Sequence, residues 1–299
     1  MNEIYRRQVA LLIRIMPLVF KIKDFAVHGG TAINLFHRNL PRYSVDIDIT
    51  YIPVSGRENS LEAINGHLAS LKRSIEIAIP GIRVVHKPDV WKLQCTKDGV
   101  TVKIEVNGTK RGVLGQVEIL QLCAKAKMEF GMTCLANIVP WGQLYGGKIA
   151  AALSRQHPRD LFDCRGIGCD EFDAVKAGFV LCLLGSDKPI VESLAPNHID
   201  QREALENQFA GMSDEVFGYD DYCTARENLV YVVNQGLTDM DKDFLVTFEA
   251  GCPEWEKCCA GDLSIFPAVA WKLLNISKLK AKNVAKYREG LAKLIEYFR

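Results

Sequence analysis

No apolar run in this 299-residue chain approaches the roughly 20 residues that a membrane-spanning helix needs, so no helical span is expected. A secretory signal is missing as well. Residues 1–23 interleave Arg6, Arg7, Arg14, Lys21 and Lys23 with apolar side chains, where a signal would show an unbroken apolar stretch and a small-residue cleavage site. A cytoplasmic protein with no membrane partner is therefore expected. Charge of one sign is not in excess either. The formal net charge is +1, so a polyanionic partner would have to be held by a local basic patch. The ten cysteines include no CxxC pair, and no His stands at ligand spacing from Cys164 and Cys169 or from Cys258 and Cys259, which leaves structural zinc without a signature. Cys95, Cys123, Cys134 and Cys182 lie among apolar residues and read as small buried hydrophobes. Repeats, low-complexity segments and a clear linker are all lacking.

What is present is a globular composition, 48% hydrophobic and 24% charged. Ile4, Leu11, Leu12, Ile15, Val19 and Phe20 recur at helical intervals over residues 3–22. A short apolar run ends at His28 and is cut by Gly29-Gly30, after which Thr31 can cap a helix through Ala32, Leu35 and Phe36. Residues 44–52 alternate, with Val45, Ile47 and Ile49 on one face and Ser44, Asp46, Asp48 and Thr50 on the other, the pattern of a half-buried strand. Leu61, Ile64, Leu68, Leu71 and Ile75 mark a helix. Strands are expected over 82–87, 91–96 and 100–106, the last two joined at Lys97-Asp98-Gly99. The fold class is α/β (α+β), with a mixed, mostly antiparallel sheet in residues 1–140 and a mainly helical part over 141–299.

Chemistry concentrates at Gly29-Gly30-Thr31 and at Arg42-Tyr43-Ser44-Val45-Asp46-Ile47-Asp48. On a strand Asp46 and Asp48 share a face, about 7 Å apart, where their oxygens can hold divalent cations. The small-residue turn offers backbone N–H groups at a helix start, which suits phosphate. A DxD alone is weak, since surface pairs and calcium loops also carry it. Val-Asp-Ile-Asp-Ile is too apolar for a calcium loop, however, and the glycine turn stands sixteen positions upstream of Asp46. Farther on, Lys148, Ala152 and Arg155 fall on one helical face, and Arg159-Asp160-Leu161-Phe162-Asp163 sets two carboxylates at i and i+3. By itself this second group also fits two helices joined by ion pairs.

The glycine turn, helix and DxD strand resemble the polymerase-beta-like nucleotidyltransferase superfamily. Gly-Gly-Thr-Ala with Arg-x-Ser-x-Asp-x-Asp is similar, more narrowly, to the AbiEii/AbiGii (MenT-like) toxins of bacterial toxin–antitoxin and phage-defence systems. Many superfamily members carry Gly-Ser where this chain has Gly30-Thr31; the hydroxyl is retained. The Lys148 to Asp163 segment resembles that family's Lys-x-x-Ala…Arg…Arg-Asp-x-x-Asp. The resemblance implies catalytic roles for Asp46, Asp48, Lys148 and Asp163, and nucleotide contacts from Gly29, Gly30, Thr31, Arg42, Ser44, Lys148, Arg155 and Arg159. Arg155 and Arg159 would assist with phosphate charge or hold Asp160. The superfamily adds a third carboxylate from a neighbouring strand, for which Glu105 is the candidate metal ligand; a solvated strand glutamate is the competing reading. Pro267 to Asn275 also resembles a segment of the toxins. The Lys278, Lys280, Lys282, Lys286, Arg288 and Lys293 run that follows suits RNA, or is a solvated helix face.

The resemblance implies transfer of a nucleoside monophosphate from an NTP, with Mg2+ (or Mn2+), to an acceptor such as the tRNA 3′ end. It also implies a cognate antitoxin. Two rivals remain: an enzyme of the same fold that modifies a small molecule or protein side chain, and a non-catalytic binding module. His28, His37 and His157 lie near the motifs and read as core or surface residues. Ser44 has no His/Asp partners that would make it a nucleophile.

Overall fold

The computed structural model describes residues 2–299, which form two compact units: the chain to Pro140 together with Phe209–Val216, and Trp141–Gln208 together with Phe217–Arg299. Within the first unit, α1 (Glu3–Phe20) starts where the Asn2 side chain accepts from the Ile4 N–H at 2.8 Å. It buries Val9, Leu12, Ile13, Ile15 and Met16 and leaves Ile4 exposed. The first apolar residue of the helical pattern is thus not part of the core.

After β1 (Phe25–His28) the chain turns straight into α2 (Gly29–Ala32), continued by a π-helical turn over Ile33–His37. Thr31 therefore lies inside the helix and does not cap it. Its hydroxyl faces the neighbouring strand β2 (Asp46–Tyr51) and donates to the Asp46 carbonyl. Helix α3 (Arg57–Ala78) buries Ile64, Leu68, Leu71 and Ile75 at the expected spacing. Three strands follow, β3 (Arg83–Lys87), β4 (Lys92–Lys97) and β5 (Val100–Val106). Asp98 and Gly99 take φ values of 48° and 79°, the left-handed pair that a two-residue hairpin needs. The unit closes with β6 (Glu118–Gln121), α4 (Ala124–Phe130) and β7 (Leu135–Ile138).

The seven strands form one mixed sheet ordered β3-β4-β5-β2-β1-β7-β6, parallel at β2–β5 and β1–β7 and antiparallel elsewhere. Strands β1 and β2 lie inside the sheet, so Ala26, Val27, Ile47 and Ile49 are fully buried. The segment Phe209–Val216 belongs to this unit. Gly211 O accepts from Asn2 N–H and Met212 O from Tyr43 N–H, both at 2.7 Å, and Ser213 Oγ donates to Pro41 O at 2.8 Å.

The second unit is helical: α5 (Trp141–Arg155), α6 (Pro158–Cys164), α7 (Cys169–Leu184), α8 (Ile190–Leu194), α9 (Arg202–Ala204), α10 (Tyr219–Gly236), α11 (Asp239–Glu249), α12 (Pro267–Lys282) and α13 (Val284–Tyr297). Backbones of α5 and α7 meet at Gly146 and Gly178. A Cβ on Gly146 would lie 2.2 Å from Phe179 N, and one on Gly178 would lie 2.2 Å from Gly142 O. That approach fixes α5 and with it Lys148. Among the described residues no helix is long and apolar enough to cross a membrane.

Candidate active site

In the first unit the site grows from the β1–α2 junction. Gly29 has φ +71°, a conformation that L side chains rarely adopt, and a Cβ there would lie 2.6 Å from Asp48 Oδ2. Glycine at this position lets the turn run against the aspartate. At Gly30 a Cβ would meet an Arg42 guanidinium nitrogen at 2.7 Å and Ser44 Oγ at 2.8 Å, so the same turn rests on both of those side chains. Thr31 Oγ1 lies 3.1 Å from Ser44 Oγ, and Asn34 Nδ2 donates to Gly30 O at 2.9 Å. Arg42, only 2% exposed, donates to the Tyr43 carbonyl at 2.9 Å. The structure thus brings Gly29, Gly30, Thr31, Arg42, Ser44, Asp46 and Asp48 together. Asn34 joins them; it lies in the expected helix, with no motif to single it out.

Asp46 and Asp48 are half-buried and alternate with buried Ile47 and Ile49, so both carboxylates stand on one face of β2. Glu105 on β5 is the register partner of Asp48 and stands on the same face. Its carboxylate is ion-paired with Lys92 Nζ at 2.7 Å. No motif singles out Lys92, although the two-residue turn at Asp98-Gly99 sets the hairpin register that pairs it with Glu105. Among the described residues no cluster of three or more His, Cys, Asp or Glu side chains is arranged to hold a metal. The two aspartates on their own still fit a magnesium-like ion, which binds through one or two carboxylates and fills its other positions with water and phosphate oxygens.

In the second unit Lys148 is 7% exposed, with its amine 2.8 Å from Asp160 Oδ1 and 3.2 Å from Asp163 Oδ2. Arg155, largely in solvent, reaches Asp160 Oδ2 at 2.6 Å. Local geometry makes this possible. Gln156 takes φ 50°, and His157 Nδ1 accepts from Arg159 N–H at 3.2 Å to cap α6, with Pro158 in the first helical turn. The chain therefore doubles back within three residues, and α6 returns both aspartates to Lys148. Because His157 Nδ1 accepts, its proton sits on Nε2, which lies 3.0 Å from Gln208 Oε1. Burial lowers the His157 pKa, in keeping with a neutral capping ring. Tyr145 OH donates to the Asp163 carbonyl at 2.6 Å, a support for which the sequence holds no signal. Arg159 enters through its backbone N–H; its side chain is half-buried.

His28 is half-buried, with Nδ1 3.0 Å from Thr50 Oγ1. Cys95 and Cys134 are buried, and burial pushes both thiols up to about 12, as inert core residues require. Cys123 and Cys182 are only half-buried.

Comparison with known proteins follows the same lines. The family described as nucleotidyl transferase AbiEii toxin, type IV toxin–antitoxin system, matches residues 10–227, more than two thirds of the chain. Among solved structures the chain is similar to MenT4, a nucleotidyltransferase toxin from Mycobacterium tuberculosis H37Rv, with a TM-score of 0.60 at 14% identity over 91% of this chain and 93% of that one. At that identity the likeness speaks for the fold. No curated protein sequence matches the chain. With the matched residues enclosing both the Asp46/Asp48 strand and the Lys148–Asp163 helices, the chain belongs to the AbiEii nucleotidyltransferase toxin family.

Proposed function

We propose that the protein transfers a nucleoside monophosphate from an NTP to RNA, with the tRNA 3′ end as acceptor, as the toxin of a bacterial toxin–antitoxin or phage-defence pair in the cytoplasm. The observation that carries this reading is the pair Asp46 and Asp48 on one face of β2, with the Cβ-less Gly29 against the Asp48 carboxylate. In the reaction the acceptor hydroxyl oxygen bonds the α-phosphorus, pyrophosphate leaves, and the hydroxyl proton passes to solvent.

Asp46 and Asp48 would hold Mg2+, or Mn2+ in its place. A divalent ion bound there supplies Lewis-acid neutralisation of phosphate charge. The backbone of Gly29, Gly30 and Thr31, with Ser44 and Arg42 behind it, would receive phosphate oxygens. Lys148 and Asp163 would serve the nucleotide as a preset pair, with Arg155 and Arg159 adding positive charge near it. The family description implies an antitoxin as partner.

The test is incubation with total tRNA and each labelled NTP in turn. Label transferred to tRNA by wild type, and lost in Asp46→Ala and Asp48→Ala, supports the reading. Label on a small molecule or protein and not on RNA would shift the acceptor to the rival enzyme class. Transfer to tRNA should also fall steeply with salt, because binding to phosphates releases counterions.

A further inference from the structure

Three adjacent strands carry a charged row across the face that bears Asp46 and Asp48. Asp48 on β2 pairs in register with Glu105 on β5, and Glu105 pairs in turn with Lys92 on β4. The next row runs Asp46, Lys103, Gln94. Neighbouring strands lie about 4.8 Å apart, so Asp48 and Glu105 are side-by-side like charges, an arrangement that a sheet tolerates poorly. The Lys92 ammonium, 2.7 Å from Glu105 Oε1, relieves it. Each aspartate therefore has a lysine in its own row: Lys103 on the adjacent strand for Asp46, and Lys92 two strands from Asp48, beyond Glu105.

We propose that Glu105 is a positioning residue for Lys92 and not a metal ligand, so that Asp46 and Asp48 alone hold the divalent ion. This rests on the reading of those two aspartates as the metal site. Glu105 then fixes an ammonium beside the site, where it can meet the oxygens of a triphosphate. A third carboxylate would make the site more anionic and tighten the metal. The Lys92–Glu105 pair instead cancels that charge and leaves more coordination positions for water and phosphate.

The consequence can be read without turnover, as Mn2+ binding to the full-length protein by titration calorimetry, with free Mn2+ followed by electron paramagnetic resonance. Both side chains of the pair are partly solvent-exposed, 27% for Lys92 and 39% for Glu105, so substitutions there leave the fold intact. Lys92→Met, which frees Glu105 to join the site, should tighten Mn2+ binding by about tenfold, the lower end of what groups around a metal are worth, whereas Glu105→Gln, which leaves the Lys92 ammonium uncompensated, should weaken it by about threefold. Lys92→Met/Glu105→Gln should return to the wild-type value. Weakening of about tenfold or more in Lys92→Met/Glu105→Gln, where both charges of the pair are gone, would make Glu105 a ligand and overturn the proposal. An unchanged affinity in Lys92→Met would overturn it too. Saturable binding in Lys92→Met with none in wild type would support it, and no binding in either would overturn it. An Asp48→Asn arm separates the premises: Mn2+ affinity unchanged there would sink the two-aspartate site itself.

Discussion

Gly29 in the first unit and Lys148 in the second show at the level of single residues how closely each candidate side chain is tied to its own scaffold. At Gly29 a methyl group would have to fit 2.6 Å from Asp48 Oδ2 on a backbone with φ +71°. Gly29→Ala should therefore lose about 1–2 kcal/mol to the left-handed conformation, together with a displaced Asp48. A urea melt, with transfer assayed alongside, checks both effects. Gly30→Ala meets only the far ends of Arg42 and Ser44, so it should be milder. Lys148 answers to two carboxylates whose side chains are 5% and 1% exposed. In Lys148→Met both buried carboxylates lose the ammonium between them, and the fold should weaken by roughly 3–5 kcal/mol. Lys148→Met/Asp163→Asn should recover much of that. Under conditions where these variants remain folded, the proposed phosphate role calls for a transfer rate lower by about one to three orders of magnitude. Folded variants with a wild-type rate would leave Lys148 a purely structural cation.

At the level of elements, the legible parts are those set by local pattern. The alternation from Val45 to Ile49 locates β2 and the shared face of its aspartates, and Lys97-Asp98-Gly99 locates the hairpin that fixes Lys92 opposite Glu105. Strands β6 and β7 have four residues each, too few for alternation to register; β7 also pairs β1 in parallel, with no turn to announce it. The Thr31 hydroxyl looks like a cap in the sequence because its place in α2 depends on β2, fifteen residues away. Least legible is Phe209–Val216, which serves the first unit from deep within the sequence of the second. This strap satisfies the Asn2 and Tyr43 N–H groups and buries Met212. A fragment ending at residue 140 should therefore unfold at lower denaturant than the same fragment with residues 209–216 joined by a flexible linker. The missing hydrogen bonds are worth about 1 kcal/mol each, with burial of Met212 and Phe209 adding to them. Equal midpoints would mean that the strap is passive.

Across the whole molecule the near-zero net charge hides a strong separation. Residues 267–299 carry eight Lys or Arg against two Glu, a local +6, which leaves −5 on the other 266 residues of a chain whose total is +1. These residues make up α12 and α13 and lie beyond the stretch matched by the AbiEii family. Not every cation there is available. The Lys272 amine is held by the Ser186 and Lys188 carbonyls at 3.0 and 2.7 Å, and Lys293 pairs with Glu289 at 2.7 Å. Lys278, Lys280, Lys282, Lys286 and Arg288 are exposed, and among the described residues none of them forms a salt bridge; Lys278 rests over the exposed Trp271 ring, 5.3 Å from its centre. If RNA is the acceptor, the positive field should collect it on these helices while the acidic remainder repels it. Replacing Lys278, Lys280 and Lys282 together by Gln should lower tRNA affinity and flatten its salt dependence, by up to about 0.9 in log–log slope for each duplex phosphate that is no longer neutralised. Nucleotide binding should be nearly unchanged, because these residues lie apart in sequence from Asp46, Asp48 and Lys148. The measurement is tRNA binding across a salt titration for wild type and the triple variant. A slope that stays the same, with tRNA still bound, would place the RNA-binding surface elsewhere and leave α12 and α13 as solvated faces.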